Sequence, residues 1–191
     1  MRDHVHAHCD QHAEASPARQ WIVRSVTRTD CAQVKRLSRR GLIPGYIPLD
    51  VDELDEIQQL YLDSAHGHFW VAESDGRLIG TLALKEMNRG VAQLRWLRVA
   101  PPWQAGNQLA KDLIRVAAAH AREMGFLKLT IHLPPDRHSE AARYFHLLGF
   151  EFSRNITTAG RDILEFYLNL YEKPELDFES SRDFPRNQVQ P

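Results

Sequence analysis

One stretch restricts what this chain can fold into more than any other. From Leu94 to Ile114 it reads L-R-W-L-R-V-A-P-P-W-Q-A-G-N-Q-L-A-K-D-L-I. An apolar, β-rich run ends at Pro101-Pro102, a short turn carries Gln104 and Gly106, and a long amphipathic pattern then begins. The reading is strand, turn, helix. Such a turn presents backbone N–H groups at a helix start, where they lack intrahelical acceptors and where the macrodipole favours an anion. A phosphate-bearing ligand is the guest this stretch predicts.

The rest of the chain narrows the classes. At 191 residues there is material for one well-buried α/β domain with tails, and 24 basic against 25 acidic side chains leave no net field to attract nucleic acid or an anionic membrane. Cys9 and Cys31 allow at most one intramolecular bridge, which argues for a reduced, cytoplasmic setting over a secreted disulfide scaffold. No run approaches the roughly 18 apolar residues of a spanning helix.

Residues 1–19 are polar and aperiodic and are read as a disordered, His-rich tail. Its cluster of His4, His6, His8, Cys9 and His12 has ligand chemistry suited to Zn or Ni, but the sequence supplies no supporting shell, so no metal is assigned. The folded domain is expected over 20–171, followed by a flexible acidic tail at 172–191. Within the domain, Trp21 to Thr27 suits a first strand. Asp30 offers a cap for a helix that places Cys31, Val34 and Leu37 on one face. The loop from Gly41 to Pro48, with Tyr46, precedes a second helix at Val51 to Leu62. Phe69 to Glu73, Asp75-Gly76 and Leu78 to Lys85 form a hairpin, a further turn occupies Asn88 to Gly90, and Val91 to Ala100 is the next strand. The helix after the turn puts Leu109, Leu113, Val116, Ala117, Ala121 and Met124 on one face. A strand at Phe126 to Leu133, a helix from Ser139 to Leu148, and strands at Phe150 to Arg154 and Ile163 to Leu168 complete the chain.

The strand before the turn breaks its own period. Leu97 and Val99 share a face, yet Leu94 is out of phase with them by one residue. A β-bulge between Leu94 and Leu97 restores the phase and redirects a backbone N–H, a group able to polarise a carbonyl. Alternatively, Trp96 faces one core and Leu97 another, because a sheet covered on both faces need not alternate.

In element order, and in two motifs, residues from about Trp21 to Tyr171 resemble the GCN5-related N-acetyltransferase (GNAT) superfamily. The first motif is L-R-V-A-P-P-W-Q-A-G-N-Q-L-A-K-D-L-I from Leu97, similar to that family's V-x-P-x-x-[RQ]-G-x-G-x-[GA] pyrophosphate loop. The second is H-S-E-A-A-R-Y-F-H-L-L-G-F-E from His138. The resemblance implies an α/β (α+β) fold: a mixed, mostly antiparallel, seven-stranded sheet flanked by helices, with a splay between the fourth and fifth strands. It implies acetyl-CoA as acyl donor, with pantetheine along Leu97, Arg98 and Val99 and the pyrophosphate on backbone amides of Gln104, Ala105, Gly106, Asn107, Gln108, Leu109 and Ala110.

The departures from the pattern are chemical. The loop carries one extra residue between Pro101 and Gly106, and Gln108 stands where relatives have glycine, so its side chain must point away from the phosphates. Phe145 occupies the position at which many relatives carry a tyrosine acid and is placed with the cofactor-binding residues, while Tyr144, its neighbour about 100° round the helix, joins Gln93 and His132 as the catalytic candidates. Gln93 occupies the position of a common glutamate base, and an amide accepts no proton at neutral pH. Candidate proton acceptors are then His132, on the strand across the gap, and Glu73. The implied function is acetyl transfer to a primary amine of a small molecule or peptide by direct attack. The alternative is a weak or inactive acyl-CoA-binding regulatory module. No nucleic-acid or membrane partner is expected, and a homodimer is left open.

Overall fold

A computed structural model of the protein describes residues 20–39, 57–64, 67–158 and 160–171. The His-rich N-terminal segment, the Gly41 to Pro48 loop with Tyr46, most of the second expected helix and the acidic C-terminal segment lie outside the described residues.

Among the described residues seven strands form one sheet in the order β1-β2-β3-β4-β5-β7-β6. They are β1 (Ile22–Ser25), β2 (Gly67–Ser74), β3 (Arg77–Asn88), β4 (Val91–Val99), β5 (Lys128–Leu133), β6 (Glu151–Thr158) and β7 (Arg161–Asn169). Every pairing is antiparallel except β4 with β5. The helices are α1 (Cys31–Ser38), α2 (Gln108–Glu123) and α3 (Glu140–Leu147), and a π-helical turn occupies Gln58–Leu62. The mixed sheet with its flanking helices is the architecture that the motifs implied.

Period-two alternation divides β2 between two cores. Trp70 and Ala72 join the larger cluster, with Leu109, Leu113, Ala117, Phe145 and Leu148 from α2 and the α3 region. Phe69 and Val71 join the smaller one, with Val34, Ile57 and Tyr61. The helices thus cover opposite faces of β1 to β4. Leu129, Ile131 and Leu133 of β5 and Leu164, Phe166 and Leu168 of β7 belong to the larger cluster alone, and the smaller contains no residue of β5, β6 or β7. Close approach of α2 to the sheet requires Gly80, since a Cβ there would stand 3.0 Å from Leu113 Cδ1.

Some expected details change. Asp30 precedes α1 without capping it through its side chain, because a 3₁₀ turn at Arg28–Asp30 comes first. Its carboxylate instead accepts from Thr27 N at 2.8 Å and from Arg24 Nη1 at 2.7 Å, and Arg24 Nη2 also reaches Glu73 at 2.6 Å. The Arg24 guanidinium holds the Asp30 carboxyl down at about 2. Met124 follows the end of α2 and is exposed. The β6–β7 hairpin extends several residues further than its apolar pattern predicted, because one face of it is polar and gives no hydrophobic signal.

Candidate functional site

β4 carries the geometry from which the site is built. It pairs with β5 over three rungs only, Val91 with Lys128, Ala92 with Leu129 and Gln93 with Thr130, and beyond Gln93 the two strands part. On its other side the ladder with β3 slips: Thr81 pairs with Arg98 and Ala83 with Arg95, so Trp96 and Leu97 together oppose Leu82. This is the β-bulge that was one of the two readings of the slipped apolar phase. Both readings of the phase hold at once: Leu94, Leu97 and Val99 share the larger core, while Trp96 enters the smaller.

The bulge is held under strain. Trp96 has φ 55°, a left-handed conformation that a bulky side chain adopts at a cost of about 1–3 kcal/mol. Thr81 Oγ1 donates to Trp96 O at 2.7 Å, and the Arg98 guanidinium lies 5.3 Å from the indole centre. Arg98 is buried, and its Nη1 donates to Leu97 O at 2.8 Å. Backbone and side chains around Leu97 to Val99 are therefore fixed in place.

Past Val99 the chain makes two 3₁₀ turns, Pro101–Trp103 and Ala105–Asn107, before α2. The Gln104 side chain folds back, its Nε2 donating to Val99 O at 2.8 Å. Gly106 has φ 74° with nothing within 4 Å of a virtual Cβ, so conformation rather than space demands glycine there. Asn107 is left-handed too, and its side chain does not cap α2. Gln108 lies along the helix with its Nε2 on Asp112 Oδ1 at 3.1 Å, directed away from the helix end. Trp21 secures the turn from behind, stacked edge-on against Trp103 at 5.7 Å with its Nε1 on Asp112 Oδ2 at 3.2 Å. Leu109 and Ala110 are buried against the sheet.

Where β4 and β5 part, two of the residues singled out from sequence meet directly. Gln93 Nε2 and His132 Nδ1 are 2.9 Å apart. On the ring's other side His132 Nε2 faces Glu165 Oε2 at 3.5 Å, and Arg154 Nε donates to Glu165 Oε1 at 3.0 Å. With the amide N–H on Nδ1, the ring is neutral and carries its proton on Nε2, toward the carboxylate. Rotating the amide by half a turn offers Oε1 to Nδ1 instead and suits the imidazolium. Glu73, the other candidate acceptor, lies on β2, two strands from β4, and is tied there to Arg24 of β1.

Tyr144 and Phe145 are both buried on α3, ring against ring at 5.4 Å. Phe145 is sealed in the core. The Tyr144 hydroxyl is buried with no hydrogen-bond partner among the described residues. Burial, with a smaller contribution from the charge of Asp112, raises its pKa well above the ordinary phenol value.

The face of β5 to β7 opposite the larger core holds an open cleft of about 630 Å³. Gln93, Thr130 and His132 line it beside Glu165, Tyr167, Arg154 and Lys128. Of these, only Gln93 and His132 were singled out from the sequence. The signal was present in β7, where Glu165 and Tyr167 alternate with Leu164, Phe166 and Leu168. Among the described residues no group of three or more His, Cys, Asp or Glu could hold a metal ion, and no helix is long and apolar enough to cross a membrane.

Comparison with known proteins gives this arrangement a family. The uncharacterized N-acetyltransferase YjgM of Escherichia coli K12 is 31% identical over 140 residues, covering 68% of this chain and 81% of that protein. Rat N-acetyltransferase family 8 member 2 is 37% identical over 83 residues, covering 41% of this chain but 36% of its own length. The chain therefore spans only part of that relative. Among solved structures, the spermidine/spermine N-acetyltransferase SpeG of Vibrio cholerae superposes with a TM-score of 0.61 at 21% identity, over 82% of this chain and 97% of that one, a likeness of fold. The family model for the acetyltransferase (GNAT) family matches residues 33–150. On that match, and on its likeness to YjgM, the chain belongs to the GNAT family of acetyltransferases.

Proposed function

We propose that the protein moves an acetyl group from acetyl-CoA to a primary amine by direct attack at the point where β4 and β5 part. The observation that carries this reading is the position of the Gln93–His132–Glu165 chain, at the last paired rung between those strands. The donor's phosphates suit the uncapped start of α2, where the backbone of Gln104 to Ala110 offers N–H groups and the Gln108 side chain is turned aside. Its pantetheine arm suits the backbone of Leu97, Arg98 and Val99, with the bulge directing a polar group at the thioester carbonyl. Phe145, sealed in the core, offers the donor no surface and acts only as packing beneath the sheet.

In the reaction the amine nitrogen bonds to the acetyl carbon, the C–S bond breaks, and CoA leaves as thiolate. The proton lost by the amine goes to His132 Nδ1 once the Gln93 side chain swings off that nitrogen, and Glu165 stabilises the imidazolium that results. The thiolate takes its proton from solvent, because the buried Tyr144 hydroxyl, its pKa raised by burial, gives up its own less readily than an ordinary phenol.

A second reading has a specific observation in its favour. Both ring nitrogens of His132 are engaged, by Gln93 and by Glu165, which suits a module that binds acyl-CoA without turnover. Calorimetry with acetyl-CoA, followed by a thiol-release assay over a panel of amines, separates the two. Release of CoA with any amine establishes transfer. Binding without release establishes the regulatory module, and absence of binding removes both.

A further inference from the structure

We propose that the acceptor is an amine that also carries a carboxylate, of about dipeptide length, and is not a polyamine. This rests on the transfer reading above and concerns the cleft beside the same strands.

The cleft's charge points to it. Besides the Tyr167 phenol, its ionisable lining comprises Lys128, Arg154, His132 and Glu165, so with the imidazole neutral there are two cations against one carboxylate. That carboxylate is already engaged at both oxygens, by Arg154 at 3.0 Å and by His132 at 3.5 Å. A polycationic acceptor would meet no available counter-charge on this lining and would face Lys128 and Arg154. Lys128 lacks a carboxylate partner among the described residues, and its ammonium lies 5.1 Å from the centre of the Tyr167 ring. The hydroxyl of that ring in turn donates to Glu151 at 3.0 Å. A cation steadied on an aromatic face, on a concave surface with excess positive charge, is a place for an anion.

Register sets the length. Lys128, Thr130 and His132 fall on one face of β5, at alternate positions. The rung Gln93–Thr130, beyond which the strands part, lies two residues past the rung Val91–Lys128. Two residues of strand measure roughly 7 Å. An acceptor carboxylate on Lys128, with Arg154 across the cleft, leaves its amine at the parting of the strands if the two groups are about that far apart. Two extended residues of a peptide span roughly the same distance. Glycylglycine has this form.

The test is equilibrium binding to the full chain loaded with CoA, which needs no turnover. Glycylglycine, glycylglycinamide and spermidine are titrated in turn by calorimetry. Glycylglycine is expected to bind at least about ten-fold more tightly than its amide, since only the acid can make the charge-assisted contact. Lys128→Met and Arg154→Gln should each shrink that ratio to below about three-fold, and Lys128→Glu should invert it, with far-UV dichroism confirming a folded chain. Equal affinity for acid and amide, tighter binding of spermidine, no binding of glycylglycine, or a ratio unmoved by all three substitutions overturns the proposal. Each of those results leaves the transfer reading standing, because that reading is tested separately by acetyl-CoA binding and by CoA release with any amine.

Discussion

The two halves of the sheet are built to different plans. β1 to β4 are covered on both faces, and their charged groups close on one another, as Arg24 does with Asp30 and Glu73. β5 to β7 contribute to the larger core alone and turn their alternate residues, His132, Glu165 and Tyr167 among them, toward an open cleft. The first half spends its polar groups on holding itself together, while the second keeps them where a ligand can reach them. β4 is the seam, with its bulge and its short parallel pairing to β5. Substitutions in the covered half should therefore be felt in stability, and those in the open half in turnover.

The largest effect is expected in the covered half. Phe69 is 1% exposed and meets Tyr61 edge-on at 5.5 Å. Phe69→Ala should lose about 3–5 kcal/mol in urea denaturation, while kcat per folded molecule is kept. A similar loss of kcat in the folded fraction would break the division between the halves. Next comes the open half. His132→Ala should lower kcat about 100-fold, the lower end of what a proton-transfer group contributes. Because its side chain is 24% exposed and lies outside both cores, the unfolding free energy should shift by less than about 1 kcal/mol. If kcat hardly moves, His132 has no part in the proton transfer.

The seam should respond in both ways. Gly106→Val forces a β-branched residue to φ 74°, at a cost of about 1–2 kcal/mol, although its side chain would meet open space. Relief of that strain would tilt the 3₁₀ turn that positions the start of α2, so acetyl-CoA affinity should fall about ten-fold in calorimetry. By contrast Ser139, which caps α3 by accepting from Ala142 N at 3.1 Å, belongs to a helix end that is already closed. Ser139→Ala should cost about 1 kcal/mol of stability and leave acetyl-CoA affinity unchanged.

This division also explains which parts of the molecule were legible in the sequence. The β2–β3 turn was, because Asp75-Gly76 demands the positive φ values of 50° and 70° that it adopts. So was the bulge, because Leu94, Leu97 and Val99 must reach one core and an ordinary strand would not bring them there. Gln93 and His132 were each nominated, but not their contact, which depends on the Gln93–Thr130 rung placing the two side chains together across strands 39 residues apart in sequence. Glu165 and Arg154 escaped notice because their meaning is relational. A charge on an edge hairpin looks like a solvated face until its neighbour on the next strand is known.

The smallest effect lies at the edge of the covered half, where His68 of β2 stacks on His120 of α2 with ring centres 4.6 Å apart and contacts Ser25 Oγ at 2.9 Å. Burial first, and the neighbouring charge of His120 second, lower the His68 pKa below its usual 6.5. A lowered pKa means that the unfolded chain takes up a proton at His68 before the native one does, so the stability it contributes is present above about pH 6.5 and declines as pH falls through the native value. The thermal midpoint should therefore drop on going from pH 7 to pH 5, and His68→Gln should flatten that slope. Asp30, held at about 2 by Arg24, has its own window further down, between about pH 4 and 2. A slope between pH 7 and 5 that survives His68→Gln would remove His68 as its origin.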